Sequence, residues 1–346
     1  MNRLVYTLVV LALLLALAPF STSAQEGPGS PPTAHAFQAG ADRLADLQND
    51  DGGWDWPLDD GDPASISPVN TVAPIGMGLA QAYAHTLDAA HRDALADAGA
   101  FLLTKRYNFS PSDGYLAAQL DAIFGSTTYV DHVMTYYYGP LAAGTYDRLG
   151  LGTLYNTAAY VQLIRDARTG DYANMAAWDI GMGLVGAASC RAETEAWIAG
   201  VVAEIDELNG DAWYDVLGLA GAVYGLAFVG EDYDPLAGDH EAAGSLSDLA
   251  DILASYQIEG GGFAWNWYYV KTGNETIQET AYAVLALNEF GRSAYWRSIQ
   301  GAVDYMISVQ LKTGGWQNYE SAGENNEITG EALWGISVAA PEPRGR

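Results

Sequence analysis

Lysine and cysteine are nearly missing from this chain: only Lys105, Lys271, Lys312 and the single Cys190 occur in 346 residues. One thiol forms no intramolecular disulfide, and a cysteine flanked by Ala187, Ala188 and Ser189 reads as a small buried apolar residue rather than a nucleophile. Basic residues of all kinds number 15 against 43 acidic ones, a formal net charge of −28. That imbalance repels polyanions, so it argues against nucleic acid and against anionic polysaccharides as partners unless a divalent cation bridges them, and against adsorption to membranes through a basic face. A solvated acidic surface is the simplest reading. Long apolar runs are also scarce. The exception is Leu4 to Leu17, which follows Arg3 and precedes the small residues Thr22-Ser23-Ala24. This pattern predicts a cleaved signal peptide over residues 1–24, export to the periplasm or the exterior, and no stable membrane insertion after cleavage. The Pro/Gly/Ser-rich stretch 25–36 reads as a flexible linker, residues 37–339 as one folded domain and 340–346 as a tail.

What is present is a repeat. Gln48-Asn-Asp-Asp-Gly-Gly-Trp54, Gln257-Ile-Glu-Gly-Gly-Gly-Phe263 and Gln310-Leu-Lys-Thr-Gly-Gly-Trp316 are one motif three times, with the last two glutamines 53 positions apart and the first two 209 apart. The spacing predicts degenerate copies near 100, 152 and 205, the last visible at Gly210 and Trp213, and Asp113-Gly114-Tyr115 reads as a remnant of another. The identical pentapeptides at Ile75–Leu79 and Ile180–Leu184 lie two periods apart. About six units follow. Each reads as an amphipathic outer helix before the glutamine, as over 248–256 and 294–309, and an inner helix after the glycines, apolar nearly all round, as over 69–79, 214–224 and 278–287. Units of this length cannot bury their own apolar faces and must stack, and a ring buries every one. The aromatic triple Tyr136–Tyr138 and the run Trp265–Tyr269 fall between helices and read as loops. Asn70, Asp215 and Glu279 stand near inner-helix starts, where capping is the default role.

The motif Gln-x-x-x-Gly-x-Trp is similar to the repeat of squalene and oxidosqualene cyclases, and Glu279–Leu287 looks like one of their inner helices. The resemblance covers most of the mature chain and implies an all-α fold: an α/α toroid of about six helical hairpins, related to the squalene-cyclase and prenyltransferase superfamily. The chemistry of that family is not carried over. The Asp-x-Asp-Asp-Thr-Ala proton donor of squalene-to-hopene cyclases is missing, its registers being filled by Ser67–Thr71 and Thr276–Thr280. A lone glutamate is a poor acid for an alkene. The Asp, Cys and His that hold zinc in protein prenyltransferases are missing around Cys190, and the five histidines have no ligand spacing, so no metal site is expected. The segment Gln48–Trp54 is also similar to one in toroidal pectate lyases, and Asp55, Asp59, Asp60 and Asp62 beside it offer hard oxygen ligands that calcium favours, without the spacing of an EF-hand.

The leading expectation is therefore an exported ligand-binding or interaction scaffold with an aromatic and acidic central cavity. The alternatives are a carbohydrate-active enzyme, hydrolase or lyase, and a divergent terpene cyclase. A glycosidase needs two carboxylates across the cavity, for which Asp179, Asp215 and Glu279 are the candidates, each close in sequence to an aromatic. The expected ligand contacts are Trp54, Trp56, Asn70, Trp213, Trp265, Trp267, Tyr268, Trp316 and Glu327, because sugar rings stack on aromatic faces. The expected ligand is hydrophobic or a saccharide.

Overall fold

The computed structural model describes residues 31–340. The segment read as a signal peptide, the first half of the expected linker and all but the first residue of the expected tail lie outside the described residues. The first helix, α1 (Pro31–Asp46), begins inside the stretch read as linker, and Ala36 is already buried. Proline reads as a breaker, but in a helix's first turn its missing N–H would have had no partner anyway.

The chain then runs through α2 (Val72–Thr86), α3 (Ala89–Thr104), α4 (Asp113–Phe124), α5 (Thr128–Val133), a π-helical turn (Met134–Tyr138), α6 (Gly139–Ala142) and a hairpin of β1 (Tyr146–Asp147) with β2 (Leu154–Tyr155). It continues with α7 (Thr157–Ala167), α8 (Met175–Ser189), α9 (Glu195–Ile205), α10 (Asp215–Val229), α11 (Leu246–Ser255), α12 (Trp267–Thr272) and α13 (Ile277–Ser308). A second hairpin, β3 (Trp316–Gln317) with β4 (Glu324–Asn325), leads into α14 (Asn326–Ser337). The backbone leaves helical geometry at Gly291, so α13 is two helices end to end.

Six helices form an inner ring. In order they are α2, α4, α8, α10, the first half of α13, and α14, which packs back on α2 and closes it. Their outer partners are α1, α3, α7, α9, α11 and the second half of α13, giving six hairpins. Inner helices are apolar all round because they are covered on every side: each residue of α10 from Asp215 to Leu226 is buried. Glycine lets them approach closely. A Cβ on Gly78 would stand 1.9 Å from the Gly330 carbonyl oxygen, in the contact that joins the first inner helix to the last.

The repeated motif is the joint between consecutive outer helices. Gln48 Nε2 donates to Gly52 O at 2.8 Å within its own turn and to Ala94 O of α3 at 2.9 Å. Gln257 does the same to Gly261 O and Ser298 O, both at 2.7 Å. Gln310 bonds Gly314 O at 2.7 Å and Ala36 O of α1 at 3.1 Å, so the last copy ties the end of the ring to its beginning. Gly52, Gly261 and Gly314 have φ of 87°, 104° and 97°, and a Cβ on any of them would enter the next outer helix. In the degenerate copy at 205–213 other side chains replace the glutamine: Asn174 Nδ2 donates to Asn209 O at 3.0 Å, and Asp239 accepts from Gly210 N at 2.9 Å.

The two aromatic runs read as loops differ from that expectation. Tyr136–Tyr138 lies in the π turn with Tyr137 and Tyr138 buried, and Trp267–Thr272 is a short helix capped by Asn266. Tyrosine is a weak helix former, and packing against Phe109, Tyr146 and Tyr160 overrides that preference.

Candidate functional site

The starts of the inner helices converge on a cavity of about 900 Å³. Carboxylates come from two elements. Asp179 projects from the second turn of α8, and Glu327 and Glu331, four apart on α14, share one face of that helix. Trp56, Tyr172, Trp178, Tyr214, Tyr282 and Trp334 supply aromatic surface, and Asn70 lies at the rim. Trp178 and Tyr282 stack with centroids 3.5 Å apart.

The acids are held differently. Asp179 meets the Arg168 guanidinium through Nε and Nη2, each at 2.7 Å, and its side chain stays one-fifth exposed. Burial raises its pKa while the arginine opposes the shift. Glu327 accepts from Trp56 Nε1 at 3.0 Å, and its pKa is pushed up to about 7, by burial first and then by the negative charge of Asp179, with the indole N–H and Arg168 opposing. Glu331 forms the floor. Gln278 Nε2 donates to both of its oxygens at 3.0 and 3.2 Å and the Tyr282 hydroxyl donates to one of them, yet burial and the neighbouring Glu327 hold its pKa well above the carboxylate range. Two glutamates that resist ionisation stand beside an aspartate paired with arginine, so carboxyl groups in different environments share one chamber.

Of the expected residues, the structure brings Asp179, Trp56, Asn70 and Glu327 to this cavity. It does not bring Asp215 or Glu279. Asp215 is fully buried, turned outward to the Tyr256 hydroxyl behind α11 and to His240 Nε2 at 3.1 Å, and ties an inner helix to the outer layer. Glu279 is fully buried too. It accepts from the Thr276 hydroxyl at 2.5 Å, its Oε1 has no partner among the described residues, and burial pushes its pKa up to about 7. Trp54 and Trp316 are buried inside the motif, each indole N–H donating at 2.7 Å to the outer helix before it, at Leu44 O and Met306 O. Trp213 and Trp265 pack together at 5.1 Å, Trp267 stacks on Tyr256 at 4.6 Å, and Tyr268 is exposed. Trp265 lines a separate crevice of about 530 Å³ with Tyr319 and Glu275. At the opposite end of the ring, the ends of the inner helices enclose a chamber of about 360 Å³, and Trp334 borders both chambers.

Asp55, Asp59 and Asp60 each place a carboxylate oxygen within 4.8 Å of the others. Those carboxylates also hold their own loop: Asp55 accepts from Asn49 Nδ2 and Asp60 N, Asp59 from Gly61 N, Asp60 from Asp62 N and Ser65 Oγ, and Asp62 from Ala64 N. Sequence reasoning missed Glu331, Arg148, Arg168 and Trp334. A signal existed for Glu331 and Trp334, four and seven residues after Glu327 in the segment that follows the third glycine pair; Arg148 and Arg168 sit where no periodicity points.

No family model matches the chain, and no curated protein matches it. Solved structures do. A protein from Actinoplanes is 16% identical over 89% of this chain and 100% of its own, with a TM-score of 0.54. The type II terpene cyclase MstE from Scytonema is 15% identical over 89% of this chain and 97% of its own, at 0.52. An unsaturated glucuronyl hydrolase specific for heparin is 8% identical over 89% and 96%, at 0.55. The chain is an α/α toroid. At these identities the likeness is one of fold, and the same toroid hosts a cyclase in one neighbour and a hydrolase in another.

Proposed function

We propose that the toroid binds a saccharide in its central cavity and cleaves a glycosidic bond there, with Glu327 as general acid. The observation that carries this reading is a glutamate whose pKa is raised to about 7, in an open chamber walled by aromatic faces that also holds Asp179 paired with Arg168. An acid of that strength suits a glycosidic oxygen at neutral pH. In the proposed step Glu327 gives its proton to the leaving oxygen, the glycosidic C–O bond breaks, and water adds to the sugar carbon while Asp179 accepts the water's proton. Terpene cyclisation, the activity in the name of the Scytonema neighbour, is less well supported. An alkene needs a carboxyl group made unusually acidic by its partners, and burial here weakens the acids instead. The proposed place of action is outside the cytoplasm, on the pattern Arg3, Leu4–Leu17 and Thr22–Ala24.

The test is a panel of oligosaccharides assayed for binding and for new reducing ends. Glu327→Gln is expected to keep binding while turnover falls by about 10²- to 10⁴-fold, the usual weight of a general acid. In the parent protein activity should fall as pH rises through about 7, where Glu327 loses its proton. Saccharide binding without turnover would leave a non-catalytic binding scaffold, and turnover of isoprenoids alone would overturn the reading.

A further inference from the structure

Four described arginines are partly buried, and three of them hold a carboxylate. Arg43 pairs with Glu324 at 2.6 Å, Arg165 with Glu204 and Glu207, and Arg168 with Asp179. The fourth, Arg148, has no carboxylate within 4.0 Å among the described residues, and its Nε is buried without a partner. In a chain with 43 acidic residues this is not for want of anions. The adjacent Asp147 is turned away, its oxygens accepting from Leu151 N and Gly152 N across the tip of the β1–β2 hairpin. What Arg148 faces is the central cavity, whose wall it forms together with Ser110.

Ser110 repeats the anomaly. Its hydroxyl oxygen is also buried without a partner among the described residues, although its backbone N–H is satisfied by Asp113 at 2.8 Å. The two segments are joined, since Asn108 N donates to Arg148 O at 2.7 Å, and Tyr160 braces the same loop by donating to Phe109 O at 3.0 Å. An unpaired guanidinium donor and an unpaired hydroxyl, both buried and both in the wall of one chamber, are costly to leave unsatisfied and match the acceptors of an oxyanion.

We propose that Arg148 and Ser110 form an oxyanion subsite of the central cavity and that the saccharide it takes is acidic, with its carboxylate on Arg148. The subsite rests on the proposed saccharide reading for the identity of the ligand and on Arg148 for its charge. It also reconciles a surface that repels anions with a cavity that carries two of the chain's 12 arginines.

Calorimetric titration of the full chain at moderate salt tests the idea with three probes: short oligogalacturonides, their neutral methyl esters, and inorganic sulfate. The acidic sugars should bind about tenfold or more tightly than the esters, the worth of one charge-assisted pair. Arg148→Gln should abolish that preference, and Arg148→Lys should restore only part of it, because an ammonium lacks the planar fork. Arg92→Gln, at an exposed position away from the cavity, should leave it unchanged. Equal affinity for acid and ester, or a preference that survives Arg148→Gln, overturns the subsite while the saccharide reading stands. Binding of sulfate that depends on Arg148, with neither sugar bound, keeps the subsite and overturns the saccharide reading. Silence from all three probes overturns both.

Discussion

Glu279 shows at the scale of one residue how a buried acid can oppose the fold that contains it. It is fully enclosed, one oxygen is unpartnered among the described residues, and its pKa is raised to about 7 from 4.5. A carboxyl group whose folded pKa lies above its unfolded one stabilises most when both states are protonated. Its contribution is whole below about pH 4.5 and is lost as pH rises toward 7. Above that range ionised Glu279 costs the fold up to about 3 kcal/mol. Glu279→Gln should therefore raise the melting midpoint at pH 8 and do so much less at pH 5; an equal effect at both pH values would mean that the ionisation is not what the substitution relieves. The same residue explains part of what the sequence concealed. An acid at an inner-helix start looks alike whether it faces the axis, as Asp179 does, or the outer layer, as Asp215 does, because only about half a turn of the helix separates the two outcomes. Trp54 and Trp316 misled for another reason: their rings complete the motif's turn, and their indole N–H groups find backbone acceptors there.

At the scale of elements, the motif is a mechanical joint, and its three well-kept copies were legible because the joint needs fixed residue types. The glutamine must reach two carbonyls, and the first glycine of the pair must have positive φ against a neighbouring helix. The units near 100 and 152 were faint because other groups serve there. Lys105 spans the next connection, donating to Val69 O at 2.6 Å and Asp113 at 2.7 Å. Joints of equal geometry need not carry equal weight. Gln310→Ala removes one hydrogen bond to the first outer helix and one within the turn that presents it, and should cost about 1 to 3 kcal/mol by denaturant titration. Gly314→Ala should cost more, since its Cβ would meet the Ala39 carbonyl oxygen at 2.3 Å with φ at 97°. If both variants match the parent, the ring does not depend on this joint for closure.

For the whole molecule the dominant quantity is charge. With 43 acidic residues against 15 basic ones, like charges crowd the surface at separations comparable with the screening length, about 10 Å at 0.1 M salt. Compaction brings those charges together, and the folded state bears more repulsion than the expanded one. Added salt relieves it, so the melting midpoint should climb as sodium chloride rises from low concentration to about 1 M, where screening reaches within about 3 Å. Potassium chloride should act alike, which separates screening from a specific ion. Sulfate provides the informative contrast. If it only screens and strengthens burial, Arg148→Gln will follow the parent curve; if it also occupies the cavity, the parent will gain stability at sulfate concentrations too low to screen and the variant will not. One titration thus reads the general field of the acidic toroid and, through a single guanidinium, the local reversal of that field inside it.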